Sequence, residues 1–349
     1  MRQLLHDSID SDMTSQPGPL LSLGDLAQLC ATPWGLERYS PLSEHNYLLL
    51  DVRCTPSPLG PFDVNALVNR LRQLPCPVIA VGEMDSPLLW RGVDVLVPRM
   101  QAAATIIRNI DEHPLAAMTL VQLLRHNEDA SSGQGLFAES LAYASLQQGI
   151  EFAQVMPTVR KPTAAAREPD NVIVVERNDD ELHITLNRPH ARNAYSTAMR
   201  DGLYEALQVL QVDQSLLRAV ISGQGSCFCI GGDLNEFGRA SDPSTAHAVR
   251  STRSVGQLLL ELSSRLEFRL HSACIGAGIE LPAFGARVVA HKNAFMQLPE
   301  ITLGLLPGAG GTVSILARIG RQRTAYLALS ARRISASTAL EWGLIDAIT

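Results

Sequence analysis

The sequence predicts an α/β protein in two parts: a larger α/β core at 171–349, preceded by a smaller α/β-plus-helices region at 1–156. Three observations predict it. Short β-branched runs bounded by Gly and Pro recur along the chain. Residues 100–156 carry helical spacing and no strand-like run. Three Gly-rich stretches punctuate the second half, two after predicted strands and one opening a predicted helix.

Taken in order, the first 40 residues are rich in Ser, Pro, Gly and Leu without a sustained period, and read as loop with one short helix at most. Residues 46–52 form an apolar run with strand character. Residues 61–74 follow with Val64, Leu67, Val68 and Leu71 at helical spacing. Residues 77–81 and 93–97 are β-branched strands, completing a β-α-β-β unit. Helices are predicted over 100–112 and 115–125, with Pro114 suited to a first helical turn, and over 135–156. Residues 157–170 are rich in Pro, Ala and charge with no apolar face, and read as a linker. Beyond it, 172–177 and 182–186 predict a hairpin, and 197–210 an amphipathic helix capped at Ser196. Strands are predicted at 219–222, 266–270 and 286–289, and helices at 310–316, 323–330 and 335–342.

Composition narrows the function classes. With 46% hydrophobic and 18% charged residues over 349 positions, the chain resembles a soluble globular protein able to bury real cores. A net charge of -6 and the lack of a basic run argue against nucleic acid as a partner. No stretch is apolar enough to span a membrane, and the start lacks the apolar run of a signal peptide. The six cysteines include no CxxC pair and no zinc-like spacing, so no metal site is expected. Cys227 and Cys229 read as small core residues, and the thiols as reduced, which suits a cytoplasmic protein.

The chemistry is expected where the Gly-rich stretches meet two glutamates. The stretches cover 223–233, 274–280 and 307–312; Glu280 ends the second, and Glu300 precedes the third. Glycine lets backbone approach a ligand, and a helix N-terminus aims free N–H groups at negative charge. No P-loop spacing is present. Two neighbouring carboxyls push their pKa values apart, so one can act as base while the other acts as acid. His271 and His291 read as structural residues, and Asp233 as a residue that fixes its loop.

The ordered set resembles the enoyl-CoA hydratase/isomerase (crotonase) superfamily. The residues that carry the resemblance are Phe228-Cys229-Ile230-Gly231-Gly232-Asp233-Leu234, Gly276-Ala277-Gly278-Ile279-Glu280-Leu281, Leu298-Pro299-Glu300-Ile301-Thr302-Leu303-Gly304 and Pro307-Gly308-Ala309-Gly310-Gly311-Thr312. Leu186-Asn187-Arg188-Pro189 at the entry and Gly343-Leu344-Ile345-Asp346 at the exit agree, so it covers about 172–349. It implies a crotonase-type ββα superhelix. It also implies hydration of a 2-enoyl-CoA thioester to a 3-hydroxyacyl-CoA, with an isomerase, an acyl-CoA hydrolase or a non-catalytic CoA-ester-binding subunit as alternatives. By the same resemblance, the N–H groups of Gly232 and Ala277 form an oxyanion hole, Glu280 and Glu300 are the acid/base pair, and Gly308 places the water. Arg192, Ala194, Ile230, Asp233 and Leu234 would contact the CoA portion. No tightly bound cofactor is expected beyond the coenzyme A of the substrate, and a homo-oligomer (trimer, hexamer or dimer) is expected.

Three departures stand out. Ala277 and Ser272 replace commoner glycines, and Glu267 and Arg269 sit in a strand that is apolar in the family. Family members also continue into a helical tail that caps the site, whereas 93–156 resembles that tail here. The N-terminal region is therefore expected to be a degenerate or permuted crotonase segment whose helices cover the site, with an unrelated regulatory domain as the alternative.

Overall fold

The computed structural model describes residues 18–32, 34–53, 63–84, 86–159 and 171–349. Its first half is built on a four-stranded parallel sheet in sequence order, Leu20–Leu21, Leu48–Asp51, Val78–Val81 and Val95–Val97. Period-2 alternation explains why these strands are apolar throughout. Leu48, Leu50, Val78 and Ala80 face a small core shared with helices Leu23–Cys30 and Val64–Arg72. Leu49, Ile79, Val81, Val95 and Val97 face the main core. The expected β-α-β-β unit is thus larger: a short helix, Pro87–Trp90, separates the last two strands, as parallel pairing requires a crossover. The first 40 residues contain the opening strand and a helix with a Ser22–Asp25 capping box; residues 1–17 lie outside the described residues.

Four helices follow: Met100–Glu112, Pro114–Asp129, Ser132–Leu146 and Ile150–Val159. The helix expected over 135–156 is two, broken by a turn at Gly149. The expected linker begins too early, since Pro157 lies inside the last helix; 160–170 are outside the described residues.

The second half is the ββα superhelix. A six-stranded sheet runs Ala347–Ile348, Arg287–Ala290, Leu266–Leu270, Arg218–Gly223, Glu181–Leu186 and Ile173–Asn178. Only the last pair, the predicted hairpin with Asp179 at φ 52°, is antiparallel. After Leu266–Leu270 the chain turns and adds Ala273–Ile275 to a second, three-stranded sheet; after Arg287–Ala290 it adds Phe295–Gln297 to that sheet. These two turns of the spiral therefore each contribute one strand to each sheet. Ser272 makes the first of these turns at φ 53°, a left-handed conformation that explains why glycine is common there. Glu267 and Arg269 pair at 2.8 Å on the outer face of their strand, which resolves the charged departure. Ser196 caps helix Thr197–Val212 as expected.

One buried polar hub ties the halves together. Asp94 Oδ1 accepts from Arg125 Nε at 2.9 Å and from Arg321 Nη1 at 2.8 Å. Arg321 is fully buried and also donates to Arg91 O and Val93 O. Glu128 supplies the second anion, accepting from Arg321 Nε at 3.0 Å, so the two guanidiniums face two carboxylates, as buried charges require.

Candidate active site

The site lies where the three Gly-rich stretches converge. The strand Ala273–Ile275 ends at Gly276, whose φ of 52° turns the chain into the short helix Ala277–Glu280. A Cβ at Gly276 would lie 2.5 Å from Glu300 Oε1, so only glycine lets the Glu300 carboxyl sit against this turn. Gly232 and Ala277 both line a cavity of about 180 Å³. Among the described residues neither N–H makes a hydrogen bond.

Glu280 and Glu300 line the same cavity. Glu280 is buried, and its Oε2 accepts from Ala309 N at 2.7 Å and Gly311 N at 3.0 Å, the approach to helix Gly311–Ile319. Burial and the neighbouring carboxyls of Glu300 and Glu139 hold its pKa well above the ordinary range, against the pull of those two donors. Burial raises Glu300 to about 8, and its buried Oε2 has no partner among the described residues. Both carboxyls are thus pushed toward the protonated form.

A third carboxyl comes from the first half of the chain. Glu139, on helix Ser132–Leu146, accepts from Gly310 N at 2.7 Å, Thr312 N at 3.1 Å and Thr312 Oγ1 at 2.7 Å. Successive N–H groups from 309 to 312 thus alternate between Glu280 and Glu139. Burial raises the pKa of Glu139 too. Tyr143, one turn along the same helix, packs where a Cβ on Gly308 would fall, 2.3 Å from its ring. Arg250, on helix Pro243–Thr252, stacks on Tyr143 with its guanidinium 4.5 Å from the ring centre and donates to the carbonyl of Gly308.

A sequence model of the enoyl-CoA hydratase/isomerase family matches residues 176–349. The chain is 35% identical over 174 residues to the 2,3-dehydroadipyl-CoA hydratase of Escherichia coli (strain K12), a match covering 50% of this chain and 68% of that protein. The chain belongs to the enoyl-CoA hydratase/isomerase family. It is also 30% identical over 181 residues to the putative enoyl-CoA hydratase/isomerase YngF of Bacillus subtilis (strain 168), covering 52% of this chain and 70% of YngF. A crystal structure of enoyl-CoA hydratase from Thermoplasma volcanium GSS1 shares 29% identity at a TM-score of 0.48, over 52% of this chain and 72% of that one.

Within this family frame, the structure brings Gly232, Ala277, Glu280, Glu300 and Gly308 to one cavity. Arg192, Ala194, Ile230, Asp233 and Leu234 lie outside its lining. Arg192 is exposed, Ala194 is buried, and Asp233 fixes its loop by pairing with Arg188 at 3.2 Å and accepting from Asn235 N. His271 meets the Gly225 carbonyl, and His291 accepts from Asn293 N, so both hold turns. Cys227 and Cys229 are buried free thiols. Among the described residues no group of three or more His, Cys, Asp or Glu is arranged to hold a metal, and no helix is long and apolar enough to cross a membrane. Residue-level reading missed Glu139, Tyr143 and Arg250. The first two precede the family match; Arg250 sits in a polar segment whose helix buries only Ala246.

Proposed function

We propose that this site hydrates a 2-enoyl-CoA thioester to a 3-hydroxyacyl-CoA. The observation that carries the reading is the meeting of two unpartnered N–H groups, Gly232 and Ala277, with two buried carboxyls at one cavity. The thioester oxygen would accept from both N–H groups as C2 gains electron density. Each such donor is worth about 3–4 kcal/mol in an oxyanion hole. Burial and the neighbouring carboxyls raise Glu280 overall, but its two backbone donors and the helix N-terminus act on the charged form, and on that geometry we place the negative charge on Glu280. The orphaned oxygen of Glu300 suits the protonated form.

Glu280 would then take a proton from water as its oxygen bonds to C3, and Glu300 would give its proton to C2. The C2–C3 π bond is consumed, one water is added, and the pair keeps one proton in total. A proton then passes from Glu280 back to Glu300 through solvent before the next turnover. The E. coli relative named as a hydratase supports hydration over isomerisation, as does the retention of two carboxyls where a single acid would serve an isomerase. We also infer that helices of the first half act as the cover of the site, since Glu139 and Tyr143 form part of its wall.

The test follows loss of the enoyl-thioester absorbance across a panel of enoyl-CoA substrates. Glu280→Gln and Glu300→Gln should each lower kcat by about 10²–10⁴-fold. Wild-type turnover in both variants, or no turnover by the parent on any enoyl-CoA, overturns the reading.

A further inference from the structure

The far wall of the cavity is polar in a way that acid–base chemistry at Glu280 and Glu300 does not use. Three arginines line it: Arg200, Arg250 and Arg253. Two are committed to carboxylates at the rim. Arg200 donates Nε and Nη2 to Asp201 at 2.9 and 2.8 Å, and Arg253 donates to Glu205 at 3.1 Å. Arg250 differs. Its nearest carboxylate oxygen, Glu139 Oε1, stands 3.7 Å away, an ion pair beyond hydrogen-bond distance, and Glu139 itself accepts from Gly310 and Thr312. Arg250 gives one Nη2 hydrogen bond to the Gly308 carbonyl. Its Nε is buried without a partner, and among the described residues its Nη1 makes no hydrogen bond. The side chain stays 27% exposed, so part of the guanidinium remains open.

The position of this cation is fixed relative to the chemistry. The Gly308–Ala309 peptide is held at both ends: its carbonyl accepts from Arg250, and its N–H donates to Glu280. Two hydrogen bonds and the width of one peptide separate the guanidinium from the Glu280 carboxyl by roughly 8 Å at most. A cavity of about 180 Å³ is also smaller than the roughly 300–1,000 Å³ that encloses a whole drug-sized ligand, so it suits the end of a short acyl chain.

We propose that Arg250 makes this pocket selective for a short 2-enoyl thioester whose acyl chain ends in a carboxylate. The proposal rests on the hydration reading above. A carboxylate reaching the far wall would meet the open face of a guanidinium that is fixed by Tyr143 and Gly308 and hydrogen-bonded to no other carboxylate. A methyl end would desolvate that guanidinium further and give it no acceptor, leaving only the Glu139 carboxyl at 3.7 Å to answer its charge.

The experiment compares two CoA thioesters of equal chain length, one ending in a carboxylate and one in a methyl group. Saturated forms are used for calorimetric binding to the full-length protein, and 2-enoyl forms for hydration. The wild type should bind the carboxylated thioester about 10–100-fold more tightly and show a similar preference in kcat/KM. Arg250→Gln should collapse that ratio, whatever happens to the absolute rates, and Arg250→Lys should retain part of it. Equal or tighter binding of the neutral thioester by the wild type overturns the proposal without any variant. So does an unchanged ratio in a folded Arg250→Gln protein. Hydration of the neutral thioester with no binding preference removes the proposal and leaves the hydration reading standing. A binding preference without hydration of either thioester supports recognition by Arg250 and removes the reaction.

Discussion

Replacing Glu139 with alanine perturbs the site from a helix that precedes the family match. The substitution leaves three donors, Gly310 N, Thr312 N and Thr312 Oγ1, buried without an acceptor. Each such loss costs about 1–3 kcal/mol, and the carboxyl's own burial penalty, which raises its pKa, is relieved in return. A net destabilisation of about 3–5 kcal/mol is expected. Glu139→Gln keeps one oxygen and the side-chain volume, and should cost roughly half as much. The N–H groups held by Glu139 alternate with those held by Glu280, so loosening one set disturbs the other. Turnover should therefore fall further than the loss of folded protein explains. Urea unfolding followed by circular dichroism gives the stability, and initial rates on folded enzyme give the activity. An alanine variant with the wild-type midpoint and wild-type kcat would refute the argument that this helix holds the loop.

Other expectations concern the same residues. Glu300 is raised to about 8 by burial, so on the proposed hydration kcat should decline as pH climbs through that value and the proposed acid loses its proton, and Glu300→Gln should lack this limb. The same shift acts on stability: a folded pKa above the ordinary 4.5 means the contribution is present at low pH and is lost as pH rises from there through about 8. Glu300→Gln should therefore gain stability relative to the wild type as pH rises, and unchanged relative midpoints at pH 5 and pH 9 would contradict the raised pKa. Asp94→Asn should cost about 3–5 kcal/mol, because Arg125 and Arg321 lose their shared anion in the interior; a midpoint within error of wild type would count against the hub. Gly276→Ala should lower kcat by 10²-fold or thereabouts, since the added Cβ falls on Glu300 Oε1 and displaces the acid; retention of full activity would show that this contact does not position it.

How much was legible followed from where the information lies. Strong local signals were read correctly: the β-branched strands of the first sheet, the hairpin at 173–186 and the helix capped by Ser196. Glu280 and Glu300 were legible because each sits beside a glycine turn whose backbone demands are local. Short strands such as Ala273–Ile275 and Phe295–Gln297 were missed, because three residues carry too little period. Helix Pro243–Thr252 was missed because it buries only Ala246 and its few apolar residues make no face, and Arg250 went unseen with it. Glu139 lies in the helix predicted over 135–156 with no local feature to single it out. Its partners are 171 and 173 positions away, and nothing in the neighbouring residues announces them.

The alternation of N–H groups between Glu280 and Glu139 also bears on when the protein can first work. One carboxyl lies 29 positions from the loop it holds, the other 171. Contacts of such long sequence separation form late and slowly, because the loop entropy must be overcome before they add stability. The helix carrying Glu139 leaves the ribosome long before residues 309–312 exist. A nascent or half-folded chain therefore has its glycine turns in place before the second carboxyl closes on them. Competence should appear with the last docking step of folding, so that refolding followed by activity lags refolding followed by helix content.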